Sequence, residues 1–221
     1  MPKNNIKIIA HRGIWKTLKE KNSPISLKNA LSSGFGIETD LRDYRGEIVI
    51  SHDIPKKNSQ PLSNFLEEYN FHIKKFKNEC KSFLALNIKS DGLYKKIKKL
   101  LKDFRIKNYF VFDMSIPDTI SYQKAGINFF LRHSEYEIPS ASFKNYDGIW
   151  LDSFKRNWFE KKTIENYLKQ NKKVCVVSPE LHSRDHLNCW KLLKEINLNK
   201  KESILFLCTD YPEEAKTFFY E

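Results

Sequence analysis

Short apolar runs rich in β-branched and aromatic residues recur along this chain, each followed by a polar stretch with helical spacing. The runs fall at residues 7–11, 35–41, 83–88, 109–112, 129–132, 148–151, 174–177 and 204–208. Near-continuous apolar character over so short a length predicts strands buried on both faces. A helix is predicted over 23–34, where Pro24 suits the first turn and Gly34 the position just past the end. Apolar residues at 93, 97, 100, 101 and 104 predict a second helix over 93–104, and others are expected over 116–125, 158–168, 186–196 and 211–219. An extra strand over 47–51 follows the turn at Arg45-Gly46, with a Pro- and Ser-containing loop and a short helix over 62–69 behind it. The connection after residues 129–135 is too short for a full helix.

Eight strands with intervening helices predict an α/β chain of the (β/α)8 TIM-barrel class. The expectation is a single catalytic barrel domain over 1–221, with a short insertion near 53–81. An open doubly wound sheet is the alternative, but no GxGxxG or GxxxxGK motif follows the first strand.

Composition narrows the picture. Of 221 residues, 14% are aromatic and 40% hydrophobic, which excludes a disordered chain. No apolar stretch is long enough to span a membrane, and residues 1–6 carry no leader-like run, so the cytoplasm is the expected compartment. None of Cys80, Cys175, Cys189 and Cys208 forms a CxxC pair, and reduced cysteines are expected. The net charge of +12 suggests an anionic partner. That partner could be nucleic acid, a membrane surface or a phosphate substrate, or the lysines could simply be spread along solvated helical faces as at 95–99, and nucleic acid is disfavoured because no basic cluster is interleaved with stacking aromatics.

Polar residues collect where the predicted strands end: His11-Arg12, Glu38 to Asp40, Asn87 to Lys89, Asp113, Arg132 to Glu135, Asp152, Ser178 to His182, and Thr209-Asp210. In a barrel these ends share the face on which active sites are built. Glu38 and Asp40 stand two apart on one strand, so their carboxylates point the same way. Either a hard divalent cation such as Mg²⁺ or Ca²⁺, or a basic side chain such as Arg42 or Lys89, must neutralise them. Arg12 can fork onto a phosphate, and His11 with His52 could supply an acid and a base for phosphoryl transfer.

His11-Arg12-Gly13, Asn22-Ser23-Pro24, Glu38-Thr39-Asp40, Ser51-His52-Asp53, Asn87-Ile88-Lys89 and Thr209-Asp210-Tyr211-Pro212 together resemble the glycerophosphodiester phosphodiesterase family over essentially the whole chain. The resemblance implies a metal-dependent phosphodiesterase with His11 and His52 as the catalytic pair. It implies Arg12 as a phosphate ligand, and Glu38, Asp40 and Asn87 as the metal positions. Lys89 is expected to help neutralise the anion, and Arg132, Glu135, Glu180 and His182 to contact the substrate. The pattern departs from the family at Asn87, where a Glu is usual, at Lys21, where another Glu is usual, and at residues 177–182, where a Trp-Thr motif is usual. Asp113 or Glu135 could supply the missing carboxylate. These departures leave two alternatives: a barrel that binds a phosphodiester or glycan without cleaving it, or a transferase moving a phosphoglyceryl-type group onto a surface polysaccharide.

Overall fold

A computed structural model describes residues 6–75, 82–196 and 204–221. Cys80 and positions 76–81 of the expected insertion lie outside the described residues, as do residues 1–5 of the expected leader-free N-terminus. The chain forms two compact units, residues 10–129 and residues 1–9 with 130–221. The strand β1 (Lys7–His11) runs from the second of these into the first.

In the unit of residues 10–129, β1 is followed by α1 (Pro24–Ser32), β2 (Gly36–Tyr44), β3 (Glu47–Ile50), β4 (Gln60–Pro61) and α2 (Leu62–Lys75). Then come β5 (Leu84–Ile88), α3 (Tyr94–Asp103), β6 (Tyr109–Phe112) and α4 (Ile116–Lys124). β2 pairs in parallel with β5, and β5 with β6, in a register that sets Asp40 beside Asn87 and Asn87 beside Phe112. β3 and β4 add antiparallel strands beyond β2. Every residue of β5 is buried, as its unbroken apolar pattern requires. α1 begins where Ser23 Oγ accepts from Ser26 N at 3.2 Å, and it buries Leu27, Ala30 and Leu31.

In the unit of residues 130–221, β7 (Phe130–His133), β8 (Gly148–Leu151), β9 (Lys173–Val177) and β10 (Leu205–Thr209) lie parallel in the order β10-β9-β8-β7. Helices α5 (Lys161–Lys169), α6 (Leu187–Lys194) and α7 (Pro212–Tyr220) accompany them. No helix joins β7 to β8 among the described residues, in line with the short connection there. Trp190, fully buried, anchors α6 by donating its indole N–H to Ser178 Oγ at 2.8 Å. Cys175, Cys189 and Cys208 are buried thiols.

Three boundaries differ from expectation by about three residues or more. β2 runs on to Tyr44 instead of stopping at 41, because β3 folds back on it through the pair Tyr44–Glu47. α2 reaches Lys75 rather than 69, a polar extension whose spacing still buries His72. α5 starts at Lys161 rather than 158. Glu160 and Thr163 form a reciprocal cap there, and the Trp158 indole is held outside the helix by Asp152 O at 2.7 Å. No helix among the described residues is long and apolar enough to cross a membrane.

Candidate active site

The unit of residues 10–129 brings most of the expected residues together. His11 ends β1, and the backbone N–H of Arg12 donates to Glu38 O at 2.9 Å, tying that end to β2. Arg12 has φ 58° and Gly13 φ 87°, which turn the chain sharply. A Cβ on Gly13 would lie 2.5 Å from the Ser26 carbonyl carbon, so only glycine lets this turn rest on the first turn of α1. The turn aims the Arg12 side chain at β2, where its Nε lies 2.8 Å from Asp40 Oδ2. Asn22 donates to the same Asp40 oxygen at 2.8 Å and accepts from Thr39 Oγ1 at 2.7 Å. Lys89, just past β5, sets its Nζ 3.5 Å from Asp40 Oδ1 and 3.5 Å from Asp113 Oδ2. His11 Nε2 is 3.8 Å from Glu38 Oε2.

Glu38, Asp40 and Asn87 are all buried, at 1%, 0% and 6% exposure. Each carries one buried oxygen without a hydrogen-bond partner: Glu38 Oε2, Asp40 Oδ1 and Asn87 Oδ1. Such oxygens are costly to leave unpaired. The Glu38 carboxyl is pushed up to about 8, first by burial and then by the neighbouring Asp40 carboxylate. Arg12, Lys89 and a side-chain hydrogen bond with Asn87 pull the other way. Two carboxylates and an amide oxygen, buried and without hydrogen-bond partners on adjacent strands, fit a hard divalent cation, which takes oxygen ligands of these kinds. Among the described residues no group of three or more His, Cys, Asp or Glu is placed to hold a metal, so the donor set depends on the Asn87 amide. Asp113, the substitute carboxylate considered above, is engaged with Lys89.

His52 follows β3 and is exposed. Its Nδ1 lies 2.8 Å from Asp53 Oδ1, and its carbonyl accepts from Arg42 Nε at 3.0 Å. Asp53 has no proton to give when ionised, and the His52 contact holds its carboxyl below the usual range. The Nδ1 proton therefore sits between them and Nε2 is left to exchange protons. Arg42 thus supports the His52 backbone rather than the Glu38–Asp40 pair. A cavity of about 470 Å³ opens beside His52 and Arg12, lined also by Asn22 and by the loop that carries Lys56.

The four remaining expected residues belong to the other unit. Arg132 and His182 converge on the buried Asp152: Arg132 Nη1 is 3.5 Å from its Oδ2, and His182 Nε2 is 2.8 Å from its Oδ1. Phe154 packs against both, 5.2 Å from the guanidinium and 4.8 Å from the imidazole. Glu135 accepts from the backbone N–H groups of Phe154 and Lys155, at 3.0 and 2.6 Å, and so ties a loop. Glu180 accepts from Thr209 Oγ1 and Asp210 N and braces the end of β10. Both carboxylates are thus engaged by their own chain. The pattern along the chain did not single out Asn22 as the partner of Asp40, nor Asp152 as the hub for Arg132 and His182. Each contact joins distant positions, and only the strand-end placement of Asp152 hinted at it.

The fold class is α/β of the (β/α)8-barrel type. It is that of known glycerophosphodiester phosphodiesterase structures, to which this chain is similar over nearly its whole length. A protein of Galdieria sulphuraria provisionally named as such an enzyme superposes with a TM-score of 0.75 and 15% identity, covering 98% of each chain. The glycerophosphodiester phosphodiesterase of Parabacteroides distasonis gives 0.69 and 18%, covering 99% of this chain and 98% of that one. An Oleispira antarctica phosphodiesterase in complex with its product sn-glycerol-3-phosphate gives 0.69 and 16%, covering 97% of each. No protein-family model and no curated protein matches the sequence.

Proposed function

We propose that this protein is a divalent-metal-dependent phosphodiesterase acting on a small glycerophosphodiester or related diester. The observation that carries the reading is the trio of buried oxygens without hydrogen-bond partners on Glu38, Asp40 and Asn87, set beside Arg12, Lys89 and His11. A non-catalytic barrel has no use for one imidazole at this cluster and a second on the cavity that Arg12 lines, and the structural likeness is to phosphodiesterases.

Glu38, Asp40 and Asn87 would hold Mg²⁺ or Ca²⁺, which supplies positive charge to a non-bridging phosphate oxygen. The protein's own groups do the rest. Arg12 and Lys89 neutralise and orient the phosphate, so that charge developing in the transition state meets fixed cations. His11 and His52 divide the proton transfers: one accepts the proton of the attacking hydroxyl and the other donates to the departing alkoxide oxygen. Asp53 holds His52 in the tautomer that leaves Nε2 to exchange protons. Arg132 and His182, both braced by Asp152, are proposed to contact the substrate.

The test is cleavage of a panel of glycerophosphodiesters and an aryl diester by the purified protein, with EDTA, Mg²⁺, Ca²⁺ or Mn²⁺. Calorimetric metal titration runs alongside. Turnover should need metal and fall by about 10²–10⁴-fold in both His11→Ala and His52→Ala, the usual worth of an acid or base. Near-normal turnover in His11→Ala, or metal-free turnover, would refute the assignment.

A further inference from the structure

The cavity beside Arg12 and His52 is charged in one sense. Four cationic side chains line it, those of Arg12, Lys19, Lys21 and Lys56, against the single carboxylate of Asp53. That carboxylate is already committed to His52 at 2.8 Å. Lys21 is held in place, its Nζ 4.3 Å above the ring of Trp15, whose indole N–H donates to His11 O at 3.2 Å. Lys56 sits on a loop ordered by its own N–H, which donates to Ser59 Oγ at 3.0 Å. The carboxylate of Glu20, next to Lys19 in the chain, accepts from Lys16 N at 2.8 Å. Asn58, Ser59 and Gln60 also line this cavity and add neutral polar groups to it.

Arg12 faces the reacting phosphate through its place beside Asp40, which leaves three lysines and the neutral polar lining with no function in the cleavage step. We propose that they form a subsite for an anionic, hydroxylated group on the substrate. The preferred diester then carries a second phosphate or carboxylate on a polyol, and a choline-like cation or a neutral alcohol is disfavoured. The inference rests on the phosphodiesterase reading and specifies its substrate class. Opposite charge drawn to three lysines gives the preference, and the neutral polar lining suits the hydroxyls of a polyol. Leu18 and Ile54 at the rim are 73% and 84% exposed, so the same anionic polyol could be free in solution or be a lipid headgroup.

The experiment compares kcat/KM for glycerophosphoglycerol, its terminally phosphorylated counterpart and glycerophosphocholine at low salt, with an aryl diester as internal reference. The phosphorylated compound should exceed the choline compound by at least tenfold. A Lys19→Ala/Lys56→Ala double variant should cut that ratio severalfold and leave aryl diester turnover unchanged. Binding is followed separately by tryptophan emission during titration with glycerol 3-phosphate or glycerol, with Trp15→Phe to assign the signal. Cleavage without a preference, or a preference that the double variant does not move, overturns the subsite. Lysine-dependent binding of glycerol 3-phosphate without cleavage of any diester refutes the phosphodiesterase reading and leaves the subsite standing. Co-sedimentation with phosphatidylcholine vesicles, with and without phosphatidylglycerol, separates the sources. Retention by the anionic vesicles that the double variant abolishes identifies a headgroup, and no retention identifies the free compound.

Discussion

Asp40 has no exposed surface, yet it faces Arg12 Nε at 2.8 Å and Lys89 Nζ at 3.5 Å. Neutralising it leaves two cations without their shared counter-charge. Asp40→Asn should cost about 2 kcal/mol in urea unfolding without metal, below the roughly 3–5 kcal/mol for breaking a fully buried pair, because both cations keep some contact with water. An unchanged urea midpoint would mean that water already screens the pair. His133 behaves oppositely. Burial holds its imidazole below the usual value, and Nδ1 shares a hydrogen bond with Tyr167 OH at 2.8 Å. Folding therefore favours the neutral ring. Its contribution is present above the unfolded value, about 6.5, and is lost as the pH falls through the lower folded value. The fall in Tm between pH 7.5 and 5 should be shallower in His133→Gln, which cannot take up the proton, than in the wild type. Equal falls would remove His133 from the acid response.

Between elements, contacts hinge on glycine in two places. Gly13 lets the end of β1 lie on α1, and Gly148 lets β8 lie against β9. A Cβ on Gly148 would sit 2.4 Å from Lys173 O and 2.6 Å from the Phe130 ring. Gly148→Ala should therefore destabilise by about 1–3 kcal/mol, the usual cost of overpacking. Phe130→Leu in the same chain should recover only part, since the Lys173 carbonyl cannot retreat as a side chain can. Full recovery would place the clash on the ring alone. These close approaches mark what was legible along the chain and what was not. The strands could be read because a strand covered on both faces is apolar throughout, and β1, β6 and β8 fall where the runs predict. The strand-end positions of His11 and Asn87 could be read as well, and so could the shared face of Glu38 and Asp40, since residues two apart point the same way, although β2 carries that pair in mid-strand. Ends set by a partner could not: β2 continues to Tyr44 because β3 returns along it, and α5 waits for the Glu160 cap. Nor could the commitments of Glu135, which accepts from the backbone N–H groups of Phe154 and Lys155, and of Glu180, whose Oε1 accepts from Thr209 Oγ1 and Asp210 N. Local pattern encodes which face a side chain takes, whereas its partner depends on how the elements meet.

At the scale of the whole molecule the net charge of +12 sets a long-range field as well as local contacts. Most of the excess is spread over exposed lysines of helices such as α3 and α5 rather than gathered in the cavity. A dispersed field of this kind draws anions from solution without discriminating among them, and it acts on encounter rather than on the bound state. Its reach is a Debye length, about 10 Å at 0.1 M salt and about 3 Å at 1 M, so added salt removes it while the close contacts of Arg12 and Lys89 persist. For an anionic diester, raising NaCl from about 20 mM to about 500 mM should therefore lower kcat/KM severalfold, mostly through KM, with kcat nearly constant. A neutral ester of similar size provides the control, since it feels no net field. If kcat falls in step with kcat/KM, the salt is acting at Arg12, Lys89 or the metal ligands, and the surface charge has no part in capture. If neither changes, the lysines outside the cavity serve solubility alone, and selectivity for anions must come entirely from the few cations that line the site.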